Sequence, residues 1–155
     1  AKLLDFKNPD KYIGPHIGCK KGYGTNEEIR ANAASGGMVT SLLCNLLKHG
    51  DIDGAWVTKT DFVNGELTYR TYVATTEEEI RDASSSVYMT IPLLKHIDVI
   101  KNFNGKVAVV MTPCMLRGLD AILKKDDALR EKVVLKLGLY CSGTHSPKLI
   151  SLELA

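Results

Sequence analysis

Apolar residues recur with a helical period in "ASGGMVTSLLCNLLKHG", residues 34–50, where Met38, Val39, Leu42, Leu43, Leu46 and Leu47 fall on one face. Cys44 falls opposite that leucine stripe and is expected to face a partner or solvent. Gly50 after His49 is a helix stop. "GAWVTKT" (54–60) and "ELTYRTYVAT" (66–75) are rich in β-formers and predict two strands, with "DFVNG" between them as a hairpin turn. "TTEEEIRDA" predicts a short helix capped by Thr76, with acids in its first turn where the helix dipole favours them. "SSSVYMT" reads as a polar loop. "IPLLKHIDVIKNF" predicts an amphipathic helix with Leu93, Leu94, Ile97 and Ile100 on its apolar side. Asn104-Gly105 turns the chain into a strand over 106–112, followed by a helix over 113–124 and a strand over 133–140. "SPKLISLELA" opens a further helix. Strand, helix, strand, helix implies a parallel βαβ unit. The expected fold is therefore a single α/β domain with a mixed sheet (hairpin plus parallel unit) flanked by helices. Residues 1–34 are expected to be mostly loop, and 35–155 to form the α/β domain.

Composition narrows the function classes. The 155 residues are 45% hydrophobic, enough for a real core. Twenty Lys and Arg against eighteen Asp and Glu leave a formal charge of +2, which gives no electrostatic reason to expect nucleic acid or an anionic membrane as partner. No apolar run reaches the roughly 18 residues of a membrane span. The start, "AKLLDFKNPDKY", lacks the apolar core of a signal peptide and does not begin with Met, so the chain is expected to be processed or part of something longer. With four well-separated cysteines and no signal peptide, reduced thiols in the cytoplasm are the better reading than a disulfide scaffold.

The cysteines carry the candidate chemistry. Thr112 suits an N-cap and Pro113 the first helical turn, which puts Cys114 where free amides and the dipole favour a charged sulfur. Cys141 follows the next strand. In a right-handed βαβ unit both thiols reach the same sheet edge, where open α/β sheets bind ligands. Two such thiols can be ordinary turn cysteines, form a disulfide, hold a metal or supply half of an iron–sulfur site. Ser35, Gly36 and Gly37 open a helix whose amides can cradle a phosphate, and a Gly-rich helix entry is equally a packing device. The serines and Tyr88 of "SSSVYM" can hold a polar ligand or simply be solvated. Cys19, in the basic loop "IGCKKGYG", and Cys44 are the other local thiols; both read first as plain cysteines. His145, four residues past Cys141, and Arg117, one turn past Cys114, lie near the expected site.

Taken in order, these pieces resemble the beta subunit family of coenzyme F420-dependent hydrogenases and dehydrogenases. The family pattern of SGG helix entry, DGA strand, acidic helix, Gly-Ser-Lys-Tyr-like loop, GTPCQ turn and GLFC strand end stands here as Ser35-Gly36-Gly37, Asp53-Gly54-Ala55, Glu77 to Ile80, Ser85-Ser86-Val87-Tyr88, Thr112-Pro113-Cys114 and Gly138-Leu139-Tyr140-Cys141. The resemblance implies an oxidoreductase that binds FAD and a [4Fe–4S] cluster. It also implies electron transfer to the deazaflavin coenzyme F420 or a ferredoxin-type partner, within an oligomer containing other redox subunits. Residue by residue, it implies Cys114 and Cys141 as cluster ligands, with the remaining ligands outside this chain. Ser35, Gly36, Gly37, Thr40, Ser86 and Tyr88 are implied near the flavin, with Thr112 and Pro113 in the cofactor-binding turn. Ser85 stands for a usual Gly, Val87 for a usual basic residue and Met111 for a usual Gly. The change at Val87 removes a partner for a phosphate or an acidic coenzyme. Two other functions remain open: a non-catalytic nucleotide-binding or assembly module, and thiol chemistry pairing Cys114 with Cys141.

Overall fold

The computed structural model describes residues 15–64, 66–141 and 143. The expected helix in "SPKLISLELA" and the candidate His145 lie outside them. Four strands form one mixed sheet in the order β2-β1-β3-β4. β1 (Gly54–Val63) and β2 (Glu66–Ala74) make the hairpin, in antiparallel register from Ala55 opposite Ala74 to Val63 opposite Glu66. β3 (Val107–Met111) is parallel to β1 on one side and to β4 (Val133–Gly138) on the other. Both parts of the expected sheet are present, and the βαβ strands are immediate neighbours.

The hairpin is tighter than its sequence suggests. β1 continues through Asp61, Phe62 and Val63, and the reversal begins only at Asn64, whose φ of 52° is left-handed. Asn tolerates that conformation because its short polar side chain can bond locally. At the opposite end of the sheet, Gly105 has φ 144°, and a Cβ there would meet Asp53 Cβ at 2.7 Å. That close approach lets Asp53 Oδ2 accept from Lys106 N at 2.7 Å, tying the starts of β1 and β3.

Strand alternation sends side chains into two cores. Trp56, Val107, Val109, Met111 and Val133 point to one face, under α4 (Asp98–Lys101), α5 (Pro113–Leu123) and α6 (Asp127–Lys132). Leu119, Leu123, Leu129 and Ile100 come down from those helices. Ala55, Val57, Ala74 and Ala108 point to the other face, against α1 (Glu27–Asn32), α2 (Met38–His49) and α3 (Glu77–Asp82), which supply Ile29, Leu43, Cys44 and Ile80. Where β3 meets β4 a register shift leaves Val134 between pairs, exposed.

The elements correct several expectations. α2 is rotated from its leucine stripe: Thr40, Leu43 and Cys44 are buried, while Met38 and Leu42 are exposed. Cys44 thus faces the interior, because α3 packs beside it and the carbonyl of Glu77 accepts from its thiol at 3.9 Å. The expected single helix over 91–103 begins as a 3-10 turn (Leu93–His96) after Pro92 and becomes α-helical only at α4. α1 lies within the stretch expected to be mostly loop, and α6 lies where no element was expected. β4 ends at Gly138, although Leu139 N still donates to Met111 O at 2.9 Å.

Three of the short helices, α1, α3 and α6, carry side-chain caps. Thr76 and Glu79 form a reciprocal capping box on α3, and Asp126 Oδ1 accepts from Leu129 N on α6. The amides of Thr75 and Thr76 hold the Glu79 carboxyl below its ordinary pKa, and the Leu129 amide does the same for Asp126. A depressed carboxylate pKa contributes stability above the unfolded value and loses it as pH falls through the folded one. Unfolding followed by circular dichroism should therefore show stability falling steadily once pH drops below about 4. Leu119→Ala, fully buried, should cost about 2–5 kcal/mol in urea unfolding, whereas exposed Val134→Ala should change stability by less than about 0.5 kcal/mol.

Candidate functional site

The parallel strands place the candidate site at their carboxyl ends. β1 and β3 pair only from Gly54 opposite Val107 to Trp56 opposite Val109. Beyond that point β1 keeps to β2 and β3 keeps to β4, so the sheet divides at its carboxyl edge. A division between neighbouring strands is where open α/β sheets accept ligands. Trp56 sits at the last paired position, is 1% exposed, and its indole N–H has no hydrogen-bond partner among the described residues.

α5 aims its amino end at this edge, since it follows β3 directly through Thr112. α2, the other long helix, ends shortly before β1 begins and packs in the core on that face of the sheet. Neither α2 nor α5 has a side-chain cap. α1, α3 and α6, all short, are each capped by a side chain: Asn26, Thr76 and Asp126. The amides opening α2 and α5 therefore remain available to an external acceptor.

The SGG turn is built by close packing as well as by need for free amides. Gly37 adopts φ 69° as the N-cap of α2, and Gly24 N donates to Gly36 O at 2.7 Å. A Cβ on Gly36 would meet Tyr23 Cβ at 3.3 Å. Tyr23 and Gly24, four and five residues after exposed Cys19, are thereby held beside the start of α2. Ser35 is exposed, whereas Thr40 is buried one turn in and packs in the interior. Ser86 and Tyr88 are exposed on the loop that carries the chain from Ala83 on one face of the sheet to Val87 and Met89 on the other.

Thr112, Pro113 and Cys114 form one turn at the end of β3. Cys114 is exposed and free, and Thr112 Oγ1 lies 3.2 Å from its sulfur. Cys141 is also exposed and free, three residues past Gly138, which pairs with Met111 three residues before Cys114. The two thiols thus leave the sheet from adjacent strands at the same edge. Soft thiolate donors suit iron and sulfide, and this pair fits two of the four ligands that an iron–sulfur cluster takes. Among the described residues, no three His, Cys, Asp or Glu side chains gather closely enough to hold a metal ion. Cys44 is separate from this edge. Burial pushes its thiol above the ordinary pKa against the pull of the neighbouring Arg81 guanidinium.

Sequence reasoning missed the Arg81 cluster, in which the guanidinium bonds Glu28 and Glu77 at 3.2 Å each beside Cys44. The signal lay in the Glu77–Arg81 spacing, which places the pair one turn apart. It also missed the Thr112–Cys114 contact, because a threonine before Pro reads as an ordinary cap.

Comparison with known proteins places these features in a family. The model described as coenzyme F420 hydrogenase/dehydrogenase, beta subunit N-term, matches residues 19–98, and its C-terminal counterpart matches 104–153. An uncharacterised protein of Methanocaldococcus jannaschii is 36% identical over 121 residues, covering 74% of this chain and 33% of its own. The coenzyme F420 hydrogenase subunit beta of Methanosarcina barkeri is 28% identical over 139 residues, covering 85% of this chain and 46% of its own. A chain in the solved structure of the F420-reducing [NiFe] hydrogenase complex from Methanosarcina barkeri superposes with a TM-score of 0.72 at 27% identity, over 83% of this chain and 45% of that one. The chain spans between a third and a half of the length of these relatives. No helix of the described residues is long and apolar enough to cross a membrane.

The exposure pattern is open to a direct check. Under native conditions iodoacetamide should label Cys19, Cys114 and Cys141 and spare Cys44 until the chain is unfolded, as read by peptide mass spectrometry.

Proposed function

Because the chain belongs to the coenzyme F420 hydrogenase/dehydrogenase beta subunit family, we propose that it is a redox domain that holds FAD and part of a [4Fe–4S] cluster at the carboxyl edge of its sheet. In this reading it relays electrons between a partner redox subunit, or a ferredoxin-type protein, and coenzyme F420. The observation that carries the proposal is that two free, exposed thiols leave adjacent parallel strands at one edge, beside the uncapped start of α5; the uncapped, glycine-entered start of α2 supports it. Each feature has a structural explanation alone; together they offer an anion-binding half and a metal-binding half side by side.

The residues divide the work accordingly. The amides opening α2, after Ser35-Gly36-Gly37, would accept the flavin diphosphate, since glycines keep side chains away from the approaching oxygens. Thr112 and Pro113 set the start of α5 and with it the direction of Cys114. Cys114 and Cys141 would bind iron through their sulfurs, with further ligands from beyond this pair. Ser86 and Tyr88, exposed on the crossing loop, would supply polar contacts to the flavin or the deazaflavin. Thr40 is better placed to brace the α2 entry from below than to touch a ligand, because it is buried. When bound, a flavin couples two-electron hydride chemistry to one-electron transfer; the protein's part is to position both centres and shield them from water.

Trp56 provides the assay. It is the single tryptophan of the chain and stands where the sheet divides. Titration with FAD should quench its emission saturably, and anaerobic reconstitution with iron and sulfide, in the assembly that supplies the remaining ligands, should give a brown protein containing both. A folded protein that neither binds FAD nor takes up iron and sulfide would instead be an assembly module of a larger redox complex.

A further inference from the structure

Thr112 stands at the N-cap of α5, where a threonine hydroxyl ordinarily accepts from an amide of the first turn. Here it makes no such bond, and its Oγ1 lies 3.2 Å from the sulfur of Cys114. Between two neutral groups either atom can donate. A cysteine sulfur bound to iron has no proton, so the direction is then fixed: the hydroxyl donates and the sulfur accepts. Thr112 is half-buried while Cys114 is exposed, so the sulfur stays accessible beside the hydroxyl that contacts it. Hydrogen bonds to cluster sulfurs withdraw charge from the metal centre and favour its reduced, more negative state.

We infer that Thr112 is a positioning residue that donates its hydroxyl proton in a hydrogen bond to metal-bound Cys114 and raises the reduction potential of the cluster. This rests on the proposed function, in that Cys114 must ligate the cluster. Its place in the fold gives a clean test, because the hydroxyl does not cap α5 and its removal leaves the helix entry intact.

The experiment compares wild type with Thr112→Val and Thr112→Ser in the assembled protein that supplies the remaining cluster ligands, after anaerobic reconstitution with iron and sulfide. Midpoint potentials are measured by titration followed with electron paramagnetic resonance. Thr112→Val should be harder to reduce, by about threefold in the one-electron equilibrium or roughly 28 mV, and Thr112→Ser should stay at the wild-type potential. Thr112→Ala, without a branched side chain, serves if the valine packs poorly, with the same expected shift. A cluster present in all variants with an unmoved potential overturns this inference and leaves the proposed function standing. Failure of the wild-type assembly, with all its ligands present, to take up iron and sulfide removes both.

Discussion

Parallel pairing of β3 with β4 is the constraint on which the site depends. Met111 opposite Gly138 puts two chain segments through the same edge, each ending in a cysteine three residues later. The pairing is secured from both faces. Val109 and Met111 are buried beneath α5, and Leu135 and Leu137 pack on the opposite side. A slip by one residue would turn the apolar set outward, so the register that protects the core also sets which thiols are neighbours. Stability and chemistry are thus linked through a single ladder of hydrogen bonds, even though the cysteines themselves contribute little to the core.

The same logic explains the contrast among helix ends. The six-residue helices α1, α3 and α6 each carry a side-chain oxygen on a first-turn amide, while α4 has none and continues directly from the 3-10 turn before it. α2 and α5 are twice the length of those three or nearly so and are held by packing through Leu43, Leu119 and Leu123, so their first turns need no side-chain cap. Opening the sheet at its carboxyl edge also has a local consequence. The indole N–H of Trp56 is buried without a partner among the described residues, which costs roughly 1–3 kcal/mol where no water reaches it.

Much of this was legible in the residues. The β-formers of "GAWVTKT" and the unbroken apolar run "VAVVM" before its Pro-Cys turn mark β1, β3 and the start of α5, since a strand buried on both faces reads as a continuous apolar run. What escaped reading was set by tertiary contact. The apolar arc of α2 is wider than the strip it buries, so counting leucines pointed the helix wrongly, and only α3, docking through Glu77 and Ile80, decides that Cys44 turns inward. α6 carries a single buried residue, Leu129, and makes no stripe; its one sequence mark was the cap Asp126. The hairpin ran longer because Phe62 and Val63 are good strand formers, and their exposure at the tip left no burial pattern to extend.

The central claim is spatial: one edge of the sheet brings Cys114 and Cys141 to a common inorganic centre. The direct measurement is a crystal structure of the anaerobically reconstituted protein with data collected at the iron absorption edge. The account predicts an anomalous iron peak within bonding distance of both sulfurs, just past the carboxyl ends of β3 and β4. Iron bound elsewhere, or the two sulfurs directed away from each other with no iron between them, would contradict it.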